Sequence, residues 1–307
     1  MRNAFSKEIT ELAESDERIV LLSGDIGNRL FDEFKKKYPN RFYNCGIAEQ
    51  NMTGVAAGLS LSGFLPITYT IAPFCTTRCL EQIRTDLAYH ELPSIIVSVG
   101  GGLSYAGLGP THHALEDISF LRSIPNMKVI CPADSFEVKQ SLKEAINTNG
   151  PVYLRLGKKG EPDIDDLKDH DFKIGKAFQL QKGCDLCILS TGTILSEVFK
   201  ANQILKENGI NSSIYHFPSV KPLDNIALKT IAKKYNKIIT IEEHSIIGGF
   251  GSAVAEWFTD NVKLNHSFLR IATPDSFFKK SGSQSFARET LKISGKEISK
   301  QTLNFLS

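Results

Sequence analysis

The sequence has no long apolar segment and no marked excess of charge of either sign. Its 36 basic and 34 acidic residues leave a formal net charge of +2, whereas nucleic-acid and anionic-membrane surfaces require concentrated positive charge. No apolar run approaches the roughly 18 residues that a membrane span requires. The N-terminal segment MRNAFSKEITELAESDE carries acidic residues where a signal peptide has its apolar stretch. We therefore expect a cytosolic protein that binds neither nucleic acid nor a membrane.

Cysteine is scarce, and its spacing does not complete a metal site. Among the six cysteines only Cys184 and Cys187 are spaced as C-x-x-C, and a structural zinc site needs a second half. The other cysteines lie mostly among apolar residues, where a reduced thiol behaves as a small hydrophobic side chain. We expect core packing and no metal ligands in this chain; metal or redox use of the pair is the alternative.

Short, nearly continuous apolar runs recur along the 307 residues and alternate with helical patterns. Such runs are typical of strands buried on both faces, and their alternation with helices predicts α/β architecture with parallel sheets. The chain is long enough for two domain cores. The predicted strands are residues 18–24, 66–72, 93–100, 128–133, 152–157, 186–191, 212–217 and 237–243. The predicted helices include residues 50–63, 135–150, 196–209 and 224–237.

A charged stretch at residues 158–173 separates two groups of these elements. It is poor in apolar residues and contains no plausible core element, which is typical of a linker. We therefore place one domain at residues 1–160, a linker at 161–174 and a second domain at 175–307.

Glu49 lies where the extended segment FYNCGI gives way to a helix of small residues. At such a junction a carboxylate projects at the end of a strand, which is where α/β sheets bind ligands. The alternative is that Glu49 and Gln50 only place polar groups in the first turn of the helix, where its dipole favours negative charge. This segment by itself does not decide between the two interpretations.

A glycine-rich segment, SVGGGLSYAGLGPTHH, begins at residue 98 after an apolar strand. Its five glycines predict a backbone that a ligand can approach closely and that offers amide donors. It is not a dinucleotide-binding fingerprint, because no G-x-G-x-x-G precedes a helix here. His112 is a candidate ligand-facing residue, although a histidine before a helix is more often a surface or capping residue. The rings of His112 and His113 should point in opposite directions.

Two other glycine-containing segments lack the spacing of a nucleotide site. Residues 23–28 follow a strand and are similar to a diphosphate–Mg loop, but the spacing differs and no downstream Asn ligand is apparent. Residues 242–257 have the pattern of a strand, a glycine turn and a helix, and we expect the glycines there to allow close helix packing. His244 in that turn is expected to be structural or to lie at a subunit contact.

Taken in order, four segments resemble the transketolase family. They are GIAEQ around Glu49, GPTH ending at His112, SIPNMKVICPAD (123–134) and EEHSIIGGFGSAVAE (242–256). Four motifs in family order are more specific than any one of them. The resemblance implies a thiamine-diphosphate pyrimidine-binding, parallel-sheet domain followed by a transketolase C-terminal α/β domain.

The resemblance covers only part of a full-length family member. Such members have an N-terminal domain that binds the cofactor diphosphate through Mg, with a Gly-Asp-Gly signature that this sequence lacks. The resemblance therefore implies the C-terminal subunit of a split transketolase, with thiamine diphosphate held between this chain and an N-terminal subunit. That partner would bind Mg, and the complex is expected to self-associate to a dimer or heterotetramer.

By the same resemblance, three residues of this chain face the cofactor. The glutamate at the position of Glu49 hydrogen-bonds the pyrimidine ring nitrogen and activates the cofactor. Asp25 borders the cofactor, and Phe74 stacks on the pyrimidine ring. Phe74 is one residue out of register with common members, so core packing is the alternative for it.

Residues that contact a sugar or sugar phosphate are implied as well. His112 matches a catalytic histidine that contacts substrate oxygens, and Lys158 lies where the family often has an arginine for a phosphate, although lysine lacks the bidentate fork. Arg155 is a second phosphate candidate, or it forms an ion pair within the domain. Leu108 and Gly100 replace an Asp and a His of common transketolases. We therefore expect an altered sugar preference, since an apolar side chain beside a hydroxyl weakens binding.

The function implied is transfer of a two-carbon ketol unit from a ketose to an aldose, in a complex with the N-terminal subunit. The beta subunit of a 2-oxoacid dehydrogenase and a deoxyxylulose-phosphate-synthase-like enzyme are alternatives with a similar layout. A non-catalytic homologue is the alternative outside enzymes: retention of Glu49 and His112 opposes it, while Leu108 and Gly100 favour it.

Overall fold

The computed structural model describes residues 1–27, 29–168, 170–263 and 266–307. In these ranges the strands are β1 (Ile19–Ser23), β2 (Phe42–Asn44), β3 (Leu65–Ile71), β4 (Ser94–Val99), β5 (Lys128–Ile130), β6 (Pro151–Leu156), β7 (Phe178–Gln181), β8 (Leu186–Ser190), β9 (Ser212–His216), β10 (Ser219–Lys221), β11 (Lys237–Ser245) and β12 (Ser267–Thr273). The helices are α1 (Arg2–Ser15), α2 (Asp32–Lys37), α3 (Glu49–Leu61), α4 (Ala72–Cys75), α5 (Leu80–Gln82), α6 (Asp117–Ser123), α7 (Ser135–Ala145), α8 (Leu195–Glu207), α9 (Asn225–Lys234), α10 (Phe250–Asn261), α11 (Gln284–Thr290) and α12 (Gly295–Leu306).

The strands form two successive α/β sheets, which confirms the predicted fold class. Within the described residues the first sheet has seven strands in the order β10-β5-β6-β4-β3-β1-β2, and the second has five in the order β12-β11-β8-β9-β7. The pairings are parallel except for β10 with β5 and β7 with β9. Each predicted strand is found, as β1, β3, β4, β5, β6, β8, β9 or β11. Together these strands form the interior of both sheets.

The central strands of the first sheet are buried on both faces, as the sequence predicts. Every residue of β4 and β6 is buried. Because successive side chains of a strand point to opposite faces, Ile95 and Val97 join one apolar cluster while Ile96 joins another. Helix α1 adds Phe5 to the first cluster, and α6 adds Leu121 to the second. Helices therefore cover both faces of this sheet.

The second half of the chain also contributes to the first sheet. Strand β10 pairs antiparallel with β5, with Ser219 opposite Ile130, and the Cys131 amide donates to the Pro218 carbonyl at 2.7 Å. The two sheets are thus joined by backbone hydrogen bonds in addition to the connecting chain.

The charged stretch at residues 158–173 does contain core residues, so that part of the prediction was wrong. Ile164 and Leu167 pack into the apolar cluster of the second sheet, and Phe172 packs into that of the first. The Ile164 amide also donates to Asp134 Oδ2 at 2.9 Å. Three isolated apolar residues among many charges give no periodic pattern, which is why the sequence did not predict their burial.

The cysteines are free thiols, and most of them pack as predicted. Cys75, Cys79, Cys131 and Cys187 are buried, whereas Cys184 is exposed. Burial raises the pKa of Cys131 to about 12 and that of Cys79 to about 11, which keeps both thiols protonated. Among the described residues no group of three His, Cys, Asp or Glu side chains could hold a metal ion. None of the helices in the described ranges has the length and apolarity to cross a membrane.

Candidate active site

Glu49 begins α3 at the edge of the first sheet, and its carboxylate is almost fully buried. The residue is 2% exposed, and Oε2 accepts a hydrogen bond from Arg78 Nη1 at 2.7 Å. A carboxylate that only supplied first-turn polarity would face solvent beside the helix amides. Here its ion-pair partner is on another segment of the chain. The geometry therefore favours a carboxylate held in a buried ion pair with another segment over one that serves its own helix.

Thr70 of β3 and Glu49 pack around Gly24, the residue that follows β1. A Cβ atom at Gly24 would lie 3.0 Å from Thr70 Oγ1 and 3.3 Å from Glu49 Cγ, so a side chain there would crowd both groups. Thr70 is fully buried, and its Oγ1 has no hydrogen-bond partner among the described residues. Buried hydroxyls are normally paired. Thr70 therefore offers a polar atom for a ligand near the carboxylate.

Arg78 connects Glu49 with two aromatic side chains. Its guanidinium carbon lies 4.3 Å from the centroid of the Phe74 ring, and the Phe74 ring lies 5.3 Å from the His112 imidazole, centroid to centroid. The structure thus brings together Glu49, Phe74 and His112. A carboxylate beside aromatic rings can bind a planar, polar heterocycle by hydrogen bonding and stacking.

The sequence analysis missed Arg78 and Thr70. Arg78 lies only four residues after Phe74, but its side chain is 42% exposed, and isolated arginines of this kind are common on surfaces. Thr70 is one β-branched residue within a predicted strand. Neither position carries a sequence signal that separates it from an ordinary surface or core residue.

Asp25 lies at the end of β1 with an exposed side chain and a backbone φ of 55°. Its Oδ1 accepts a hydrogen bond from Asn44 Nδ2 at 2.9 Å, and Asn44 Oδ1 accepts one from the Gly46 amide at 2.9 Å. Asp25 therefore braces the loop that leads into Glu49. Asn28, the last residue of the glycine-containing segment at 23–28, lies outside the described residues.

His113 is buried and His112 is only half-buried, which agrees with the expectation that one ring of the pair faces inward and the other outward. His113 is buried, with its ring 5.8 Å from that of Phe278. His112 is half-buried between Phe74 and Tyr105, whose ring centroid is 6.3 Å away. Burial, aided by the neighbouring His113, lowers the pKa of His112 below its ordinary value of 6.5. His112 is therefore a neutral imidazole near pH 7 and can donate or accept a hydrogen bond.

The first three glycines of the glycine-rich segment donate their backbone amides to other residues of the chain. The prediction that the segment offers amide donors to a ligand was therefore wrong for these three. The Gly100 amide donates to Gly157, that of Gly101 to Leu156, and that of Gly102 to Ala114. Side chains at these glycines would instead meet neighbouring residues of the chain: a Cβ atom at Gly100 would lie 2.2 Å from the Tyr105 ring, one at Gly101 2.8 Å from Arg155, and one at Gly102 2.4 Å from Glu243.

Arg155 is not placed to grip a phosphate, which corrects that candidate assignment. Its Nε donates to Asp117 Oδ2 at 2.7 Å, and its Nη2 donates to the Ala114 carbonyl at 2.7 Å. Burial opposes its charge, but Asp117 outweighs burial and raises the pKa of Arg155. His244, also buried, lies 3.9 Å from Asp117 Oδ1. Arg155 thus forms the ion pair within the domain that was the alternative for it, and His244 has the structural role that was one of the two expectations for it.

Lys158 and Leu108 lie toward solvent. Lys158 follows β6 and lines a cleft of ≈ 330 Å³ that also includes Thr193 and Ser283 from the second half of the chain. It makes no ion pair within the described part of the chain. Leu108 is 57% exposed in the 3-10 turn Ala106–Leu108, one turn before His112. Both positions remain accessible to a ligand.

Comparison with known proteins assigns both halves of the chain. Residues 1–161 match the family model described as "Transketolase, pyrimidine binding domain", and residues 175–297 match "Transketolase, C-terminal domain". The chain is 38% identical to a subunit of the apulose-4-phosphate transketolase of Phocaeicola vulgatus, over 85% of this chain and 84% of that protein.

Two further similarities differ in how much of the other protein they cover. A solved structure described as a split gene transketolase, inactive beta4 tetramer, has a TM-score of 0.90 and 33% identity, covering 99% of this chain and 97% of the other. The 1-deoxy-D-xylulose-5-phosphate synthase of Dictyoglomus thermophilum is 34% identical over 98% of this chain but only 48% of its own length.

Proposed function

Because this chain belongs to the transketolase family, we propose that it is the C-terminal subunit of a split, thiamine-diphosphate-dependent transketolase. Together with an N-terminal subunit it would transfer a two-carbon ketol unit between sugars. The observation that carries the proposal is the buried Glu49 carboxylate. It is close to the Thr70 hydroxyl, which has no partner among the described residues, and it pairs with Arg78, which lies against the Phe74 ring.

The residues around Glu49 fit the aminopyrimidine ring of thiamine diphosphate. Glu49 would hydrogen-bond a ring nitrogen and hold or release a proton there, and Phe74 would lie against the ring. Thr70 Oγ1 would pair with a polar atom of the ring, which would satisfy a hydroxyl that has no partner in the described chain. Asp25 would border the ligand at the end of β1. When bound, this cofactor supplies a carbon nucleophile and an electron sink.

Arg78 compensates the charge of the buried carboxylate. A buried, unpaired carboxylate is strongly unfavourable, and Arg78 is the ion-pair partner of Glu49. Because the Arg78 side chain is half exposed, it can move to admit a ligand at little cost in packing. When the ligand binds, Glu49 would give up Arg78, take up a proton from solvent and donate a hydrogen bond to a ring nitrogen.

His112 is proposed to contact the sugar. Its neutral imidazole can accept or donate a hydrogen bond to a substrate oxygen, and Phe74 and Tyr105 limit its movement. Tyr105 fills the space above Gly100, where common family members have a histidine. Leu108 and Lys158 would then adjust the recognition of hydroxyl and phosphate groups.

The exposed face of α3 is suited to the partner subunit. Ile47, two residues before α3, is 80% exposed, and Leu61 at its end is 72% exposed. Cβ atoms built on Gly54 and Gly58 would meet nothing within 4 Å. Such an apolar, flat face is typical of an interaction surface. An N-terminal subunit docked there would bring its own diphosphate and Mg site next to Glu49. Self-association to a dimer or heterotetramer is part of the same proposal.

A synthase of the deoxyxylulose-phosphate type is the second candidate, since one such synthase is 34% identical to this chain over 48% of its own length. The name of that synthase states its product, 1-deoxy-D-xylulose 5-phosphate. Assaying the reconstituted pair for this product and for ketol transfer between sugars therefore distinguishes the two candidates.

The test is co-expression with an N-terminal transketolase subunit, followed by assay of ketose–aldose pairs by mass spectrometry. Glu49→Gln should lower turnover by about 10²–10⁴-fold, the usual contribution of a group that transfers protons. Glu11→Gln, at an exposed carboxylate of α1, is the control and should leave turnover unchanged. Retention of ketol transfer by the Glu49 variant would contradict the proposed role.

A further inference from the structure

The segment that carries His112 is a closed loop. Gly102 and Ala114 exchange backbone hydrogen bonds of 3.1 and 3.0 Å, and this bridge closes the base of the loop at residues 103–113. The base is therefore the point at which the orientation of the whole loop is set.

Glu243, from β11 of the second sheet, contacts this base directly. Its Oε1 accepts a hydrogen bond from the Leu103 amide at 2.6 Å. A Cβ atom at Gly102 would lie 2.4 Å from the same oxygen, so only glycine lets the carboxylate approach. Gln284 Nε2 donates to Oε1 at 2.9 Å, and Arg288 donates to Oε2. The carboxylate is thus held by its own half of the chain while it binds the other half.

The rest of the loop is also covered by the second half of the chain. Ser281 Oγ donates to the Gly107 carbonyl at 3.2 Å, and Phe278 packs against His113. At Ala114, the second residue of the bridge that closes the base, Arg155 Nη2 donates to both the Ala114 carbonyl and the Glu243 carbonyl. The loop therefore has contacts with the second half at its base and along its length.

The neighbouring Glu242 has a different partner set. Successive side chains in a strand point to opposite faces, and Glu242 accepts the Phe250 and Gly251 amides at 2.7 and 2.8 Å, at the start of α10. Both carboxylates are buried, but the partners of Glu242 all belong to the second half. Glu242 therefore provides a matched control for burial and charge.

We propose that Glu243 is a positioning residue that fixes the loop carrying His112, so that the C-terminal half of the chain controls substrate orientation without touching substrate. The control of substrate orientation rests on the proposed function. The fixing of the loop does not.

The first experiment uses the full chain without its partner. In Glu243→Gln the side chain loses its charge, and its single oxygen can accept from Leu103 only if its amide nitrogen faces the Arg288 donor, so the hydrogen bond to the Leu103 amide is weakened or lost. Hydrogen exchange of residues 103–113 should become about tenfold faster or more, as expected for loss of a hydrogen bond to a charged group. Glu242→Gln also removes a buried charge, so it should lower the thermal midpoint of unfolding about as much as Glu243→Gln does. It should not change hydrogen exchange in this loop. Unchanged loop exchange in the Glu243 variant, or equal acceleration in both variants, would overturn the proposal.

The same contact can be tested from the loop side. Gly102→Ala places a methyl group against the Glu243 carboxylate and should accelerate exchange in the same segment. Gly209→Ala is the control for backbone strain, because Gly209 also has a positive φ of 78° but no atom within 4 Å of its Cβ position. In Glu243→Gln and in Gly102→Ala the pKa of His112, followed by imidazole NMR, should rise toward its ordinary value. A His112 titration identical to wild type would contradict the inference, whichever variant folds better.

Activity of the reconstituted pair separates the role of Glu243 from the proposed function. Glu243→Gln should lower kcat/KM for the sugar about tenfold while the affinity for thiamine diphosphate stays unchanged, because Glu49 is not moved. Absence of ketol transfer by the wild-type pair would refute the proposed function and leave the exchange result to decide the role of Glu243. Equal losses of sugar turnover and cofactor affinity would instead indicate general unfolding and overturn the positioning role.

Discussion

The buried carboxylates of Glu49, beside the first sheet, and of Glu243, in the second sheet, differ in how they are paired. At the first sheet, Glu49 has an ion-pair partner that is half exposed, and Thr70 Oγ1 has no partner among the described residues. At the second sheet, Glu243 accepts hydrogen bonds from Leu103, Gln284 and Arg288. Incomplete pairing leaves capacity for a ligand, whereas complete pairing stabilises the fold. We therefore assign the chemistry to the first region and the support to the second.

The largest effect on stability is expected from breaking the supporting network. Arg155→Met would remove the guanidinium from the buried Asp117 carboxylate and leave it only the Tyr153 hydroxyl and the neighbouring His244, which should lower the free energy of unfolding by about 3–5 kcal/mol. Denaturant unfolding measures this change. The double variant Arg155→Met with Asp117→Asn should recover part of the loss, since it removes the unpaired charge. A loss below about 1 kcal/mol in the single variant would show that the Arg155–Asp117 ion pair does not support the fold.

A second test asks whether the charged stretch between the sheets belongs to the core. Leu167→Ala should lower the free energy of unfolding by about 2–5 kcal/mol, because Leu167 is fully buried in the cluster of the second sheet. Asp166→Ala, at an exposed neighbour, should change it by less than about 0.5 kcal/mol. Equal effects at the two positions would restore the interpretation of this stretch as a simple linker.

Two buried threonines, Thr273 in the second sheet and Thr70 in the first, allow the closest comparison of the two regions. Thr273 Oγ1 donates to the His244 carbonyl at 3.0 Å, so Thr273→Val should cost about 1 kcal/mol of stability. Thr70→Val should cost nothing or stabilise slightly, since its hydroxyl is buried without a partner among the described residues. In the reconstituted pair, Thr70→Val should weaken thiamine diphosphate binding about tenfold. A stability loss at Thr70 as large as that at Thr273 would remove the distinction between the two regions.

The smallest expected effect is a pH dependence from His112. Because burial lowers its pKa in the folded chain, the unfolded chain binds more protons just below the ordinary pKa of 6.5. Stability should therefore fall as pH decreases through 6.5 toward the lowered pKa, and it should be unaffected by His112 above that range. His112→Asn should remove this slope in denaturant unfolding. An unchanged slope in that variant would assign the effect to other groups.

The parts of the fold that the sequence predicted are the parts that are buried on both sides. All eight predicted strands lie inside the two sheets. The edges are β2, which was predicted only as part of an extended segment, and β7, β10 and β12, which were missed. Edge strands are only partly buried, as the exposed residues of β2 and β12 show, so they lack the continuous apolar run that identifies an interior strand. The same reason explains why isolated buried residues such as Leu167 were missed.

The candidate site was predicted in part, through motifs rather than through contacts. Glu49, Phe74 and His112 were named from the sequence, and the structure places them together; their roles remain proposals. The sequence does not show which arginine forms part of the candidate site. Arg155 pairs with Asp117 inside the fold and Arg78 pairs with Glu49, and both pairings depend on tertiary contacts. Pairing between distant segments leaves no local signal.

The central claim is that Glu49 belongs to half of an active site whose other half is on a second chain. Equilibrium binding of thiamine diphosphate with Mg should be measured for this chain, for the N-terminal subunit and for their complex. We expect tight binding only by the complex, and its loss in Glu49→Gln. Tight, Mg-dependent binding by this chain alone would contradict the claim.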